Sequence, residues 1–343
     1  MIDHLKPVLP GFVVCIAITI AAILLQQAEI HFAGQPYLEA IVVAILLGVA
    51  IRTVWSPGPR WIPGINFSAK FVLELAIVML GASVSIATIL SLGPVLIVGI
   101  ACIVAVSIGA SFLICQAVRL PKRMSILIAC GNSICGNSAI AALAPVIGAD
   151  SDDVASSISF TAVLGVVVVL GLPLLVPVLQ LSLTQYGVLA GLTVYAVPQV
   201  LAATLPIGEL SNQVGTVIKL VRVLMLGPVV LGFSLFPGSL RPVSKQAPSE
   251  RHGPRLGELV PWFIIGFLIA LIARSLGVIP QSLVSPTTRT AGFLTTVAMA
   301  ALGLGVDVRV VARTGVRVTL AVTASLIVLG AMSYGLIRFV GIL

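Results

Sequence analysis

Residues 130–142 read Cys130-Gly131-Asn132-Ser133-Ile134-Cys135-Gly136-Asn137-Ser138-Ala139-Ile140-Ala141-Ala142, with the tetrad Cys-Gly-Asn-Ser occurring twice, five residues apart, inside an apolar stretch. A helix turns about 100° per residue, so a five-residue step rotates about 140° and the two tetrads do not share one face. Doubled Gly-Asn pairs are also poor material for a continuous helix. At membrane depth the stretch therefore predicts an interrupted helix, broken within 130–138 at Gly131 and Gly136. Its freed N–H groups and the side chains of Asn132, Ser133, Asn137 and Ser138 would converge on a cavity. The N-terminus of a broken helix carries partial positive charge and attracts anions. Close helix packing is the competing reading; it explains the small residues but not the paired Asn.

The rest of the chain supplies the membrane. Of 343 residues, 59% are hydrophobic and 9% charged, against about 25% charged in soluble domains, which excludes a water-soluble globular enzyme. A mean hydropathy of +1.20 excludes a disordered chain, because disorder needs polar, charge-rich sequence. A spanning helix takes about 20 apolar residues. The fold class is thus all-α, a polytopic transmembrane bundle forming a single integral membrane domain over 1–343. Charge-free runs and Gly or Pro breaks place eleven spans near 8–27, 37–54, 70–91, 94–117, 124–147, 155–179, 186–206, 213–236, 259–276, 289–307 and 317–340. The first reads as a membrane helix rather than a cleaved signal, because no small-x-small site follows it.

The net charge of +8 reads as topology, not as nucleic-acid binding, because the basic residues are scattered between apolar runs instead of gathered on one face. Arg52, Arg60 and Lys70, then Arg119, Lys122 and Arg123, then Arg241, Lys245, Arg251 and Arg255, then Arg309 and Arg313 fall on alternate loops. That alternation predicts a cytoplasmic N-terminus, eleven crossings and a cytoplasmic loop 238–257. Trp55, Trp61 and Trp262 fall at span ends, where interfacial anchors belong. Residues 76–93 match 298–315 at Ala76/Ala298, Leu80/Leu302, Gly81/Gly303, Val84/Val306 and Gly93/Gly315, an offset of 222, which is what an inverted repeat leaves. A second match, 139–148 against 200–208, reads either as a re-entrant element in span seven or as shared small-residue composition.

Three further residues are candidates. Lys219 and Arg222, spaced i, i+3, share a helix face inside a span, where cations face the bundle interior or water. They serve an anion, snorkel to an interface, or are neutralised by Glu74 or Asp307. Gln199 follows Pro198, which removes one backbone donor; an interhelical polar contact is its alternative. The five cysteines lie in apolar runs and read as small buried residues, with no metal site expected. The single acidic cluster Asp150-Ser151-Asp152-Asp153 reads as a solvated loop, since a magnesium-diphosphate site needs two facing clusters. Neither HExxH nor GxSxG occurs.

These elements in this order, CGNSICGNSAIAA, PQVLAA, IKLVRVLMLGPVVL, PWFIIGFLIA and AMAALGLGVDV, resemble the YeiH-type family of bacterial inner-membrane proteins, assigned to sulfate export. The resemblance covers about 40–340. It implies the bile acid, arsenite and cation–proton antiporter fold, with inverted repeats and discontinuous helices, and places the family's doubled motif on Cys130–Ala142 and its basic segment on Lys219 and Arg222. Where many members carry a His-Glu pair, this chain has Tyr195-Ala196-Val197-Pro198-Gln199, which puts proton coupling in doubt. The expected function is secondary transport or export of a small inorganic or sulfonate anion across the bacterial inner membrane. The alternatives are an anion channel or an intramembrane enzyme. No GxxxxGK[ST] segment is present to bind ATP, so an ion gradient or exchange would drive transport. The implied partners are the lipid bilayer, a small anion and, as one option, further copies in a homo-oligomer. No cofactor and no nucleic acid are expected.

Overall fold

The computed structural model of the chain describes residues 7–33, 39–83, 93–235, 262–306 and 316–342. All the regular structure there is helical: α1 (Leu9–Ala33), α2 (Ala40–Val54), α3 (Ile62–Phe67), α4 (Leu73–Gly81), α5 (Gly93–Ala117), α6 (Lys122–Ser133), α7 (Asn137–Ile147), α8 (Ser151–Gly171), α9 (Leu175–Leu179), α10 (Leu183–Thr193), α11 (Val197–Thr204), α12 (Glu209–Leu224), α13 (Leu226–Leu235), α14 (Trp262–Ser275), α15 (Gln281–Gly305) and α16 (Val316–Val340). A π-helical turn, Ser68–Val72, joins α3 to α4, and a short 3-10 turn, Leu172–Leu174, joins α8 to α9. Within the described residues, each of the eleven expected spans falls on one of these helices or on a broken or kinked pair of them; residues 84–91 of the third span lie outside the described residues, as do Val84 and Gly315 of the repeat match. Loop 238–257, Asp307, Arg309 and Arg313 lie outside the described residues.

Among the described residues, six helices are long and apolar enough to cross a bilayer. Apolar side chains such as Leu24, Leu113, Val178, Ile327 and Phe339 are exposed on the outside, where hydrocarbon rather than water is the matching solvent. The chain is a polytopic helical membrane protein. Trp55 caps the end of α2, Trp61 precedes α3, and Trp262 opens α14 with its indole N–H donating to Glu74 at 2.7 Å. All three stand at helix ends, as expected. Four cysteines are buried thiols, whereas Cys102 is exposed, on the long apolar helix α5.

The 222-residue offset reappears in three dimensions. It carries α2 onto α14, α3–α4 onto α15 and α5 onto α16. Helix α2 packs against α15 while α14 packs against α4, and α5 packs against α16. The contacts are reciprocal down to single residues. A Cβ on Gly81 would meet the Phe267 carbonyl at 2.5 Å, and one on Gly303 would strike the Ile45 carbonyl; 45 and 267 are separated by the same offset as 81 and 303. Such an exchange of partners is what a twofold relation between two helix triplets produces, with glycine admitting backbone to backbone at the equivalent places.

The core is divided. One cluster joins α1–α4 and α15 and reaches Val166, Val169, Leu201 and Ala202; a larger one is built from Ile77 of α4 with α5–α8, α10–α14 and α16; a small third one, around Cys115, Met124, Ile128, Phe160 and Val322, joins α5, α6, α8 and α16. Two of the expected spans are interrupted, the fifth as the doubled tetrad predicts and the seventh in addition, and both interruptions lie in the larger cluster. Span five breaks between α6 and α7, and span seven between α10 and α11. The second sequence match, 139–148 against 200–208, falls on α7 and α11, the second half of each broken helix.

Candidate functional site

The first break is one half of what the doubled motif predicts. Helix α6 runs through the first tetrad, Gly131 included, and stops at Ser133; Ile134 leaves helical geometry and Gly136 stands at φ 63°, ψ −122°. Only the second glycine breaks the chain. Gly131 instead closes the turn and makes room beside it. Its carbonyl accepts from the Gly136 N–H at 2.8 Å, and its missing Cβ admits Ile140 of α7, whose Cδ1 would lie 3.0 Å away. The second break, at Val194-Tyr195-Ala196, carries no glycine. Pro198 stands within the first turn of α11, where no intrahelical donor is lost, so it starts a half-helix instead of weakening a span.

The two breaks touch. A Cβ on Gly136 would meet the Tyr195 Cβ at 3.2 Å, so the left-handed conformation and the absent side chain are both required at that crossing. A helix end leaves carbonyls without partners, and at the end of α6 each finds a donor. Cys130 accepts from the Ile134 N–H and Gly131 from Gly136. Asn132 accepts from Arg222 Nη2 at 2.9 Å, Ser133 from Arg222 Nε at 3.1 Å and Ile134 from Lys219 Nζ at 2.7 Å. The end of α10 uses the same two cations. Gly191 accepts from Arg222 Nη1 at 3.0 Å, and Val194 from Lys219 Nζ at 2.8 Å and Arg222 Nη1 at 3.4 Å. Lys219 and Arg222 therefore each bridge both breaks.

Both cations have 0% exposure. They lie on α12, within a 26-residue span Glu209–Ser234, and Arg222 falls at its middle, deeper than the 213–236 span places it. Snorkelling is thereby excluded. Glu74 is engaged with Trp262, and among the described residues no carboxylate pairs with Lys219 or Arg222. What they face is the negative end of two half-helix dipoles. The spacing that aims them there is i, i+3 on one face, and the face is seated because α10 packs closely on α12 through Gly187 and Gly191.

The polar side chains around the crossing are less satisfied than the backbone. Asn132 and Ser133 are each 1% exposed. Among the described residues, neither end of the Asn132 amide has a partner, nor do Ser133 Oγ, Tyr195 Oη or Thr216 Oγ1, and Thr216 is one turn before Lys219. Orphaned buried polar atoms are uncommon and call for a bound water, ion or ligand. Asn137 and Ser138 open α7 and are exposed, with Asn137 Oδ1 accepting from Thr161 Oγ1 of α8 at 2.5 Å. Gln199, 2% exposed, caps α11: its Oε1 accepts from the Ala196 N–H at 3.2 Å. A Cβ on Gly165 of α8 would overlap the Gln199 amide. The expected residues thus divide into Asn132, Ser133, Lys219 and Arg222 inside the crossing, Gln199 at the second break, and Asn137 and Ser138 at its outer edge. Tyr195, Thr216 and Gly165 escape the sequence reading. Two signals point toward Tyr195: the 139–148/200–208 match, which puts a half-helix after it, and the departure from the family's His-Glu pair at Tyr195–Gln199.

Comparison with known proteins gives the chain its relatives. The family model for conserved hypothetical protein 698 matches residues 10–322. A UPF0324 membrane protein of Bradyrhizobium diazoefficiens is 55% identical over 98% of this chain and 95% of its own length. One from Brucella suis is 56% identical over 99% of both chains, and one from Bacillus cereus is 33% identical over 95% of this chain and 90% of its own. No solved structure matches. The YeiH-type resemblance carried by the doubled tetrad fits these matches, and the chain belongs to the UPF0324 family of membrane proteins, the family of conserved hypothetical protein 698.

Proposed function

We propose that this protein is a secondary transporter of a small inorganic or sulfonate anion of the sulfate type, working by alternating access in the bacterial inner membrane with its N-terminus in the cytoplasm. The observation that carries the proposal is the charge at the crossing. Two unit cations, Lys219 and Arg222, meet two half-helix C-termini, each worth about −0.5 of a charge. About one positive charge is left over, and the N-termini of α7 and α11 add to it. An excess of that kind is costly in a low-dielectric region and is relieved by an anion. Asn132, Ser133 and Asn137, with the first N–H groups of α7, supply donors for its oxygens. The two larger hydrophobic clusters, which meet along α4, α8 and α11, supply two bodies to move against each other.

The test is uptake of radiolabelled sulfate, sulfite and taurine into proteoliposomes. Saturable uptake with counterflow supports a transporter. Flux that rises linearly with concentration, without counterflow, replaces it with a channel, and an absence of flux for every anion while a cation is carried overturns the charge argument. Cysteines introduced at 245 and 152 test the orientation: labelling of 245 from the cytoplasm and of 152 from outside is expected, and labelling of both from one side refutes it.

A further inference from the structure

Away from the crossing, an apolar groove of about 460 Å³ lies between α8–α9, α10 and α16. It is lined along α8–α9 from Val168 to Leu179 and along α16 from Leu326 to Tyr334, and Leu189 and Thr193 close its inner side. At about 1.5 Å per residue those stretches are roughly 16 and 12 Å long, close to the depth of one leaflet, half of a hydrocarbon core about 30 Å thick. The groove faces outward, since Leu175 and Ile327 in its wall are exposed. Glycine makes the room: at neither Gly171 nor Gly330, both in the lining, does any atom beyond the local helix backbone lie within 4 Å of where a Cβ would stand.

A charge stands at the far end. Arg338, one turn beyond Tyr334, lies over the Tyr334 ring, 5.1 Å from its centroid, and donates through Nε to the Tyr334 hydroxyl at 2.9 Å. It is exposed, and among the described residues its Nη groups donate to no acceptor. Two residues on, α16 ends at Val340, which puts the guanidinium at headgroup level while the groove descends from it. An apolar slot one leaflet deep with a cation at its mouth has the chemistry of a lipid site. We infer that the groove holds an acyl chain of an anionic phospholipid whose phosphate is bound by Arg338. The inner end of the slot is Thr193, and the next residue, Val194, gives the carbonyl shared by Lys219 and Arg222. The lipid chain therefore props the second break from the membrane side. The inference rests on the membrane setting alone and does not require the crossing to bind an anion.

The test uses purified full-length protein in detergent, delipidated and followed by thermal melting and by native mass spectrometry of retained lipid. Phosphatidylglycerol is expected to raise Tm and to leave a bound adduct; phosphatidylcholine is expected to do so less, and inorganic phosphate not at all. A Cβ at Gly330 has open space around it, and from there a Phe ring would enter the groove, so Gly330→Phe is expected to keep the fold and to lose both the shift and the adduct. Gly171→Phe repeats the test from the opposite wall. Arg338→Gln is expected to bring the phosphatidylglycerol shift down to that of phosphatidylcholine. An unchanged shift and adduct in both Phe variants overturns the acyl-chain site. A full phosphatidylglycerol preference in Arg338→Gln overturns the headgroup contact, and a shift from phosphate alone overturns the lipid as occupant.

Discussion

Arg222 donates through Nη2 to the backbone carbonyl of Asn132 at 2.9 Å, while both ends of the Asn132 side-chain amide find no partner among the described residues. The cation thus holds the helix end, and the amide beside it is left for something else. This separates the two jobs that the sequence lays on one group of residues.

Arg222→Gln removes a donor set shared by four carbonyls, those of Asn132, Ser133, Gly191 and Val194. Lys219 still serves Val194, and the Gln amide reaches one half-helix but not both. At about 1–3 kcal/mol for each carbonyl left buried and unpaired, Tm should fall by several degrees while the protein still inserts. Any stabilisation by a transported anion, which acts by mass action on the native state, should disappear as well. Melting curves of wild type and variant, with and without anion, check both; an equal anion shift in the two proteins removes Arg222 from the site.

The crossing distinguishes its two glycines. Gly136→Ala puts a Cβ at φ 63°, ψ −122° and 3.2 Å from the Tyr195 Cβ, a backbone region that costs about 1–3 kcal/mol for other residues. Gly131→Ala is a helix-interior change, and its Cβ meets the Ile140 side chain at 3.0–3.1 Å, which can give by a rotamer shift, and the Gly136 carbonyl only at 3.7 Å. The first variant should lose both stability and uptake, and the second should stay close to wild type. Equal melting temperatures for the two would move the break away from Gly136.

How much of this was legible in the sequence follows from where the signals lie. The membrane class, the eleven spans and the 222-residue repeat are carried by hydropathy and by small residues at fixed spacing, both properties of the chain itself. The break near Gly136 is readable because doubled Gly-Asn is improbable in a helix, but which glycine breaks depends on Tyr195, about sixty residues away in the other interruption. That second interruption has no glycine, and Pro198 alone reads as a weakened span. Lys219 and Arg222 are conspicuous as buried cations. Their partners are not, because backbone carbonyls have no letter in the sequence, whereas Glu74 and Asp307 stand out in it as carboxylates.

Gly165 and Gln199 should behave as a pair. A Cβ at residue 165 overlaps the amide that caps α11, so Gly165→Ala displaces the cap, and loss of a cap costs about 1 kcal/mol. Gln199→Ala removes the same cap directly. If the two act through one contact, the double variant should destabilise by clearly less than the sum of the singles, since coupled residues are not additive. Thermal melting of the four proteins closes the cycle, and simple additivity would mean that α8 and the second break are independent.

Asn132 gives the sharpest separation of stability from function. A buried amide with no hydrogen bond carries a desolvation cost with nothing to offset it, so replacing it by an apolar side chain of similar size removes that cost. Asn132→Leu should therefore melt no lower than wild type, and higher by the equivalent of about 1 kcal/mol. The contact of Arg222 with residue 132 is to the backbone carbonyl and survives the substitution. Uptake should nonetheless be lost, because the donor offered to an anion is gone, and anion-dependent stabilisation should go with it. Ser133→Ala, which removes a smaller orphaned group at the same helix end, should weaken uptake by less. A variant Asn132→Leu that melts several degrees lower and transports normally would mean that the amide is paired in the protein and plays no part in binding.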